Sequence, residues 1–224
     1  MLLFLAVFRL SVSYPDKYLM SWALLSVFIP TFFFVSVTPG LCMTLAMTLG
    51  MSIGVKRAMW MMLGELTGVG LVAALSAIGV AALLLNYPTI FTLFKYIGGA
   101  YLFYLGIQMW LSRGKMALKA EDEGKRASRI ELISQGFVTA IANPKGWAFF
   151  VALLPPFIDA SQPLARQLMS LIAIILTLEF SCLLIYASGG RTLRTLLMKS
   201  GNVRIMNRIA GTLMAGVGVW LGLG

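Results

Sequence analysis

A long stretch without charge constrains this chain most strongly. No charged residue occurs between Lys17 and Lys56. As one continuous helix, rising 1.5 Å per residue, the stretch would be far longer than the roughly 30 Å hydrocarbon layer of a bilayer. A soluble helix would not need so many consecutive uncharged positions. The stretch is therefore expected to enter a membrane and to be interrupted there.

A proline motif supplies the interruption. Thr38-Pro39-Gly40 lies in the middle of the uncharged stretch. Pro39 has no backbone donor, and its ring disfavours helical geometry in the residue before it. The motif predicts that the first membrane span consists of two helical pieces, at about 20–37 and 41–53.

The remainder of the chain is also apolar. Hydrophobic residues make up 59% of the 224 residues and charged residues 12%, whereas about a quarter of a soluble domain is charged. About 20 apolar residues cross a bilayer, so the length suits six spans without an additional catalytic domain. We predict an all-α membrane protein with six transmembrane helices, the further five at about 58–85, 90–111, 131–154, 167–188 and 205–223.

The second half of the chain repeats features of the first. The fourth span is interrupted at Asn143-Pro144-Lys145, as the first is at its own proline. The second span contains a single glutamate, Glu65, and the fifth contains Glu179. These correspondences indicate an internal repeat of three spans.

The third and sixth spans align in register. Residues 97–100 match 209–212, and the match continues to Gly106 against Gly218 at a constant offset of 112. Chance similarity between glycine-rich helices is the competing explanation. Three spans is an odd number, so the second copy must enter the membrane from the opposite side. We predict an inverted 3+3 repeat with helices 1 and 4 broken at proline, a design found in secondary transporters.

This repeat divides the chain into four segments. The first, 1–18, is an uninformative N-terminal extension that lacks the basic region and cleavage site of a secretory signal. Met20 is an alternative start, because an uninterrupted apolar stretch begins there. The first three-helix repeat covers 19–112, a basic cytoplasmic loop covers 113–130, and the second repeat covers 131–224.

The net charge of +10 is concentrated in alternate connections. Six basic residues lie between 113 and 129, five between 191 and 208, and two at Lys56 and Arg57. Cytoplasmic loops of membrane proteins carry such an excess, so the pattern does not indicate a nucleic-acid partner. It predicts that connections one, three and five are cytoplasmic and that Gly224 lies on the outer side.

The two glutamates are candidates for chemistry. Glu65 and Glu179 lie inside apolar spans, where an ionised carboxylate costs at least about 2.5 kcal/mol. One interpretation is a structural hydrogen bond or an ion pair with Lys145. The other is a proton or ammonium site, which we favour because both halves of the chain carry one glutamate. We predict proton coupling at Glu65 and Glu179, with either of them as the site shared by the proton and the ammonium.

The proline breaks are candidate binding positions. Each break frees backbone groups that only protein or a water-filled cavity satisfies at membrane depth. The helix that follows has free N–H groups and a positive dipole end, which suit a carboxylate. A plain proline kink is the alternative, and it explains Lys145 poorly. The predicted substrate-binding residues are Thr38, Pro39, Gly40, Asn143, Pro144 and Lys145.

Enzymatic motifs are missing from the sequence. The chain contains no histidine, the commonest acid–base residue near neutral pH. Cys42 and Cys182 have no metal or redox spacing, so we interpret them as small apolar fillers. The sequence contains no phosphate-loop motif of a primary pump. We predict no enzyme, cofactor or metal.

Two weaker signals concern packing. Trp147 follows the second break, where core packing is the default and a pocket wall the alternative. Gly64 and Gly68 have the spacing of a close-packing helix face. Packing within one chain explains this spacing as well as dimerisation does, so a homo-oligomer stays open.

The chain resembles the lysine exporter (LysE) family, in particular its homoserine, threonine and leucine efflux (RhtB-type) branch. The resemblance runs from about residue 20 to the end. The family usually continues the first break as Pro-Gly-Pro, whereas Leu41 stands there in this chain. The resemblance implies export of amino acids from bacteria with the proton gradient. Its marks are Thr38-Pro39-Gly40, Gly64-Glu65, residues 99–106, Asn143-Pro144-Lys145 and residues 154–159.

Together these features predict a secondary active transporter that exports amino acids across the bacterial inner membrane by proton antiport. The substrate's carboxylate would lie at the broken-helix N-termini and Lys145, and its ammonium near Glu65 or Glu179. The expected partners are an amino acid, protons and the lipid bilayer. The competing class is a membrane sensor or structural subunit without transport activity, which explains the spans but not the paired acids.

Overall fold

The computed structural model describes residues 22–112, 127–154, 157–158, 163–198 and 200–223. Over these ranges the regular structure is helical, which confirms the all-α prediction. The predicted N-terminal extension and most of the basic loop lie outside them. The helices are α1 (Trp22–Val37), α2 (Leu41–Ile53), α3 (Val55–Asn86), α4 (Pro88–Leu111), α5 (Arg129–Ile141), α6 (Pro144–Leu153), α7 (Leu164–Met198) and α8 (Ser200–Leu223).

Several helices are suited to a bilayer. Val55–Leu83 of α3 and Leu164–Gly190 of α7 are long and apolar enough to cross one. The pair α1 and α2 meets the same criterion as a single span bent by 58°. Length and composition therefore support a membrane protein.

The helix ends in both halves lie beside the predicted prolines. In the first half, α1 ends at Val37 and α2 begins at Leu41. In the second half, α5 ends at Ile141 and α6 begins at Pro144. Proline cannot donate the backbone hydrogen bond that would continue the preceding helix, so a new helix starts at or just after it.

The seventh helix differs from the sequence prediction. We expected the fifth span to end near 188 and the sixth to begin near 205. Instead, α7 continues to Met198, and α8 begins at Ser200. The chain changes direction within α7 at Gly190, where φ is +43°. Glycine has no Cβ and tolerates this left-handed backbone, so the turn needs no loop.

The buried apolar residues form two clusters. One contains the aromatic residues of α1 and α6, together with parts of α3, α7 and α8. The other contains α2 and the opposite ends of α3 and α7, and is rich in methionine. In α3 the second cluster ends at Met62 and the first begins at Val72, so Glu65 lies between them. In α7, Glu179 likewise lies between Ile175 and Cys182.

Glycines bring two helix pairs into backbone contact. On α3, a Cβ at Gly64 would overlap the carbonyl oxygen of Ile133 on α5. On α5, Gly136 meets α3 in the same way. On α2, a Cβ at Gly50 would overlap the backbone of Ala187 on α7. These contacts fix each glutamate-bearing helix against a broken span of the other half.

Glycines also bring a third helix pair, α4 and α8, into backbone contact, and these two helices pack extensively on each other. A Cβ at Gly106 would lie 2.6 Å from the carbonyl oxygen of Gly211, and one at Gly218 would lie 2.5 Å from that of Gly99. The helices are therefore antiparallel at this contact. The repeat offset of 112 relates Gly106 to Gly218 and Gly99 to Gly211. It therefore maps each of these two contacts onto the other.

Candidate functional site

A cavity of about 260 Å³ lies at the level of both helix breaks, between the two apolar clusters. It brings together several of the predicted residues from both halves of the chain. The wall on the side of the first cluster is aromatic, with Phe32, Phe149 and Phe150. The polar side chains that line the cavity are Ser36, Thr38, Glu65, Asn143 and Glu179.

The N-terminus of α2 is directed towards the cavity. Its N-cap is Gly40, which offers no side-chain capping hydrogen bond. The Thr44 N–H donates to the Gly40 carbonyl at 2.9 Å and closes the first helical turn. The amides of Leu41, Cys42 and Met43 precede this bond, and all three residues line the cavity. These amides and the positive dipole end form a site that favours an anion.

The second break contributes less to the described lining. Asn143 and Gly146 reach the cavity, and the Gly146 N–H donates to the Asn143 carbonyl at 3.0 Å. The side chains of Pro144 and Lys145 lie outside the part of the chain that the structure describes. Pro39 shapes the first break without lining the cavity.

Side-chain donors satisfy the carbonyl groups that the first break frees. The Thr38 hydroxyl donates to the Phe34 carbonyl at 2.6 Å. The hydroxyl of Tyr186, on α7, donates to the Val37 carbonyl at 2.7 Å. Buried backbone carbonyls need such partners. Tyr186 is 1% exposed, so this bond ties the break to α7 inside the protein.

Trp147 performs the same task at the second break. Its indole Nε1–H donates to the Ile141 carbonyl, the last residue of α5, at 2.9 Å. The ring packs against the first apolar cluster and does not line the cavity. Packing, the default interpretation of this residue, therefore agrees with its position. The hydrogen bond across the break was not predicted.

The two glutamates have different surroundings. Glu179 is 9% exposed, and the Ser36 hydroxyl donates a hydrogen bond to its Oε2. Glu65 is fully buried, at 0% exposure. Neither of its carboxyl oxygens forms a hydrogen bond of good geometry among the described residues, and the Cys42 thiol, a weak donor, and the Glu179 carboxyl lie beside it. Burial without a strong donor makes an ionised Glu65 costly.

Two lining residues were missed or misinterpreted from the sequence. Cys42, taken as a filler, lines the cavity close to both glutamates, whereas Cys182 is a buried member of the second cluster. Ser36 was not singled out, although it is a polar residue one turn before the first break. The described residues contain no group of three or more His, Cys, Asp or Glu side chains that could hold a metal ion.

Comparison with known proteins identifies the family. The LysE type translocator family matches residues 33–224. The chain belongs to this family. The match covers both helix breaks and both glutamates, and it confirms the resemblance found in the sequence. No solved structure matches the LysE-type chain with statistical significance.

Curated relatives of the LysE-type chain match over most of their length. An uncharacterized membrane protein of Vibrio cholerae is 29% identical, covering 83% of this chain and 90% of the relative. The homoserine/homoserine lactone efflux protein of Salmonella typhimurium is 27% identical, covering 83% and 89%. The leucine efflux protein of an Enterobacter species is 28% identical, covering 82% and 88%.

Proposed function

We propose that this LysE-type protein is a secondary active transporter that exports amino acids across the bacterial inner membrane in exchange for protons. One observation carries the proposal: the same cavity is lined by the helix N-terminus that follows Gly40 and by two carboxyl groups, Glu65 and Glu179. An amino acid has one negative and one positive end, which match these two features. A sensor or structural subunit would need no such pair of charges around a cavity.

The proposed binding mode orients the substrate along the cavity. Its carboxylate accepts hydrogen bonds from the amides at 41–43, with Asn143, which lies beside Cys42, and Lys145 as further proposed ligands. Its ammonium lies towards the glutamates, and its side chain lies against Phe32 and Phe150. Relatives named for efflux of homoserine and of leucine support this substrate class. In this proposal Thr38, Pro39 and Pro144 shape the breaks that expose the backbone donors.

The proposed architecture has six membrane spans in two inverted repeats, 19–112 and 131–224. Each broken pair, α1 with α2 and α5 with α6, is one span. The reciprocal glycine contacts of α4 and α8 support this arrangement, because a two-fold axis in the membrane plane would produce them. Rocking of one repeat against the other would then open the cavity alternately to each side.

The proposed orientation places connections one, three and five in the cytoplasm. Arg57, in connection one, donates from Nη2 to the carbonyl of Ala127, at the end of connection three, at 2.7 Å. This bond supports placing both connections on the same side. We expect a reporter that is active only in the cytoplasm to stay silent when fused after Gly224. A strong signal from a correctly inserted fusion would contradict this orientation.

Transport in vesicles tests the function. The purified protein would be reconstituted into liposomes and supplied with labelled leucine, homoserine, threonine and lysine, with and without a pH gradient. We expect gradient-dependent accumulation of at least one amino acid, abolished by a protonophore. Empty liposomes and the Glu65→Gln/Glu179→Gln double variant are the controls. Parental rates of pH-driven transport in the double variant would exclude these residues from coupling.

A further inference from the structure

The proposed function does not say which glutamate binds the proton and which binds the substrate. The surroundings of the two residues differ, and this difference suggests an assignment. We propose that Glu65 carries the exchanged proton, whereas Glu179, positioned by Ser36, binds the ammonium group of the substrate. This inference rests on the proposed function, because it divides the labour within the same site. It gives each glutamate one measurable property.

The position of Glu65 favours a neutral carboxyl group when the cavity is empty. The backbone of α5 covers this part of α3, since a Cβ at Gly136 would lie 2.8 Å from the Glu65 amide nitrogen. No described residue forms a hydrogen bond of good geometry with the carboxyl oxygens, and the donor beside them is the Cys42 thiol, which is weak. A buried carboxylate without a strong donor or a paired charge is strongly disfavoured. A proton removes that charge without requiring a new contact.

Few charged groups face Glu65 from the neighbouring helices. Among the described side chains, the titratable groups are Cys42 of α2 and Glu179 of α7. At this level α5 contributes Gly136 and other small residues, which do not titrate. From α6, the proposed binding mode adds Lys145. The nearest described charge is therefore another carboxylate, which opposes ionisation of Glu65.

Glu179 is equipped to remain an anion. The Ser36 hydroxyl donates to it, and a hydrogen bond to an ionised acceptor is stronger than one between neutral groups. Ser36 belongs to the last turn of α1, directly before the break whose far side begins α2. An ammonium held by Glu179 would therefore lie near the site proposed for the substrate carboxylate.

The net charge of the two glutamates explains why this assignment leads to exchange of a proton for the substrate. With both carboxylates ionised and no cation present, the buried pair would carry a charge of −2. A proton on Glu65 reduces this charge to −1, and an ammonium beside Glu179 does the same. In this proposal the proton and the ammonium compete for the pair: Glu65 releases its proton to the aqueous side as substrate binds, and recovers one after substrate leaves.

Three variants in liposomes test the division: Glu65→Gln, Glu179→Gln and Ser36→Ala. For labelled leucine and homoserine, we would measure pH-driven accumulation, exchange of internal for external substrate without a gradient, and proton release on binding in weakly buffered detergent. Glu131→Gln is the matched control, because Glu131 is exposed at the start of α5 and glutamine retains the capping geometry.

In Glu65→Gln we expect pH-driven accumulation to fall by about tenfold or more and proton release to disappear, because residue 65 can no longer exchange a proton. Exchange should persist only at higher substrate concentrations, because the fixed neutral group mimics the protonated state, which competes with substrate. In Glu179→Gln we expect the half-saturation concentration for exchange to rise by about tenfold or more, because a hydrogen-bonded charge partner is lost. Ser36→Ala should raise it by about threefold and retain the pH drive. Glu131→Gln should behave as the parent.

Two results would overturn the division. One is pH-driven accumulation and proton release at parental levels in Glu65→Gln. The other is loss of the pH drive in Glu179→Gln with unchanged affinity, which reverses the roles. If Glu65→Gln does not fold, Glu65→Asp, which keeps a titratable group, must retain proton release. A folded parent that moves no amino acid would instead contradict the proposed function itself.

Discussion

The helix pairs on either side of the two proline positions, α1 with α2 and α5 with α6, are anchored through opposite members. In the first half, the piece after the break, α2, has the more extensive contact with α7, and α1 has the smaller one. In the second half, the piece before the break, α5, packs extensively on α3, and α6 contacts it less. Under the proposed two-fold symmetry, α1 corresponds to α5 and α2 to α6. The anchored pieces are therefore not equivalent.

This asymmetry is what one conformation of an alternating-access protein would show. Two inverted repeats of similar structure close the site on one side and open it on the other by adopting different internal packing. In the opposite conformation we expect α1 to pack closely on α7 and α6 on α3. The glycine contacts of α2 and α5 then belong to one state, and the hydrogen bonds at the breaks hold the pieces together.

The largest effect should come from the α3–α5 anchor. Gly64→Leu would place a side chain where the carbonyl of Ile133 already lies, so the helices must separate. We expect the variant to lose more than about 3 kcal/mol of stability, beyond ordinary overpacking, and to give little monodisperse protein. Thermal unfolding in detergent measures this.

Gly79→Leu is the matched control on the same helix, because no atom lies within 4 Å of a Cβ at Gly79. Its unfolding temperature should stay near that of the parent. Gly50→Leu tests the other anchor, of α2 on α7, and should also be severely destabilised. A stable, monodisperse Gly64→Leu variant would show that α3 and α5 do not pack as described.

A smaller effect is expected at the first break. Tyr186→Phe removes the hydroxyl that binds the Val37 carbonyl and leaves a buried acceptor without its donor. The expected loss is about 1–3 kcal/mol in the free energy of unfolding. Tyr101→Phe, at an exposed position of α4, should cost much less. Equal unfolding midpoints for the two variants would contradict a role for Tyr186 in fixing the break.

The smallest effect is expected at the second break. Trp147→Phe removes the donor to the Ile141 carbonyl but retains an aromatic ring against the first cluster. Trp147 is only partly buried, so water partly replaces the lost bond. We expect a loss of about 1 kcal/mol. A cost larger than that of Tyr186→Phe would show that the second break is the more tightly held.

Hydropathy explains why the all-helical character of the chain could be predicted. Helices also end beside Pro39 and Pro144, as the backbone properties of proline favour. The paired glutamates stood out because a charge is rare in an apolar span. The predicted end of the fifth span near 188 agrees with the kink at Gly190, where the candidate span Leu164–Gly190 ends. The helical segment that follows the kink was missed, because its basic residues were read as a loop.

Pairings across the fold were not predictable in the same way. Tyr186 and Val37 are 149 positions apart, and Ser36 and Glu179 are 143 apart. Nothing in the pattern around Tyr186 distinguishes it from an ordinary buried aromatic residue. The difference between the two glutamates also depends on partners from other helices, so it could not be obtained from one sequence.

The glycine contacts between α4 and α8 have the form of an isologous interface, in which both partners present the same pair of positions. In a two-fold homodimer, a substitution at such a position changes both equivalent contacts at once. In the proposed inverted repeat the two copies belong to one polypeptide, so a change at Gly106 affects its contact with Gly211 and leaves that of Gly99 with Gly218 in place. Each of the two contacts can therefore be altered by mutation while the other is preserved.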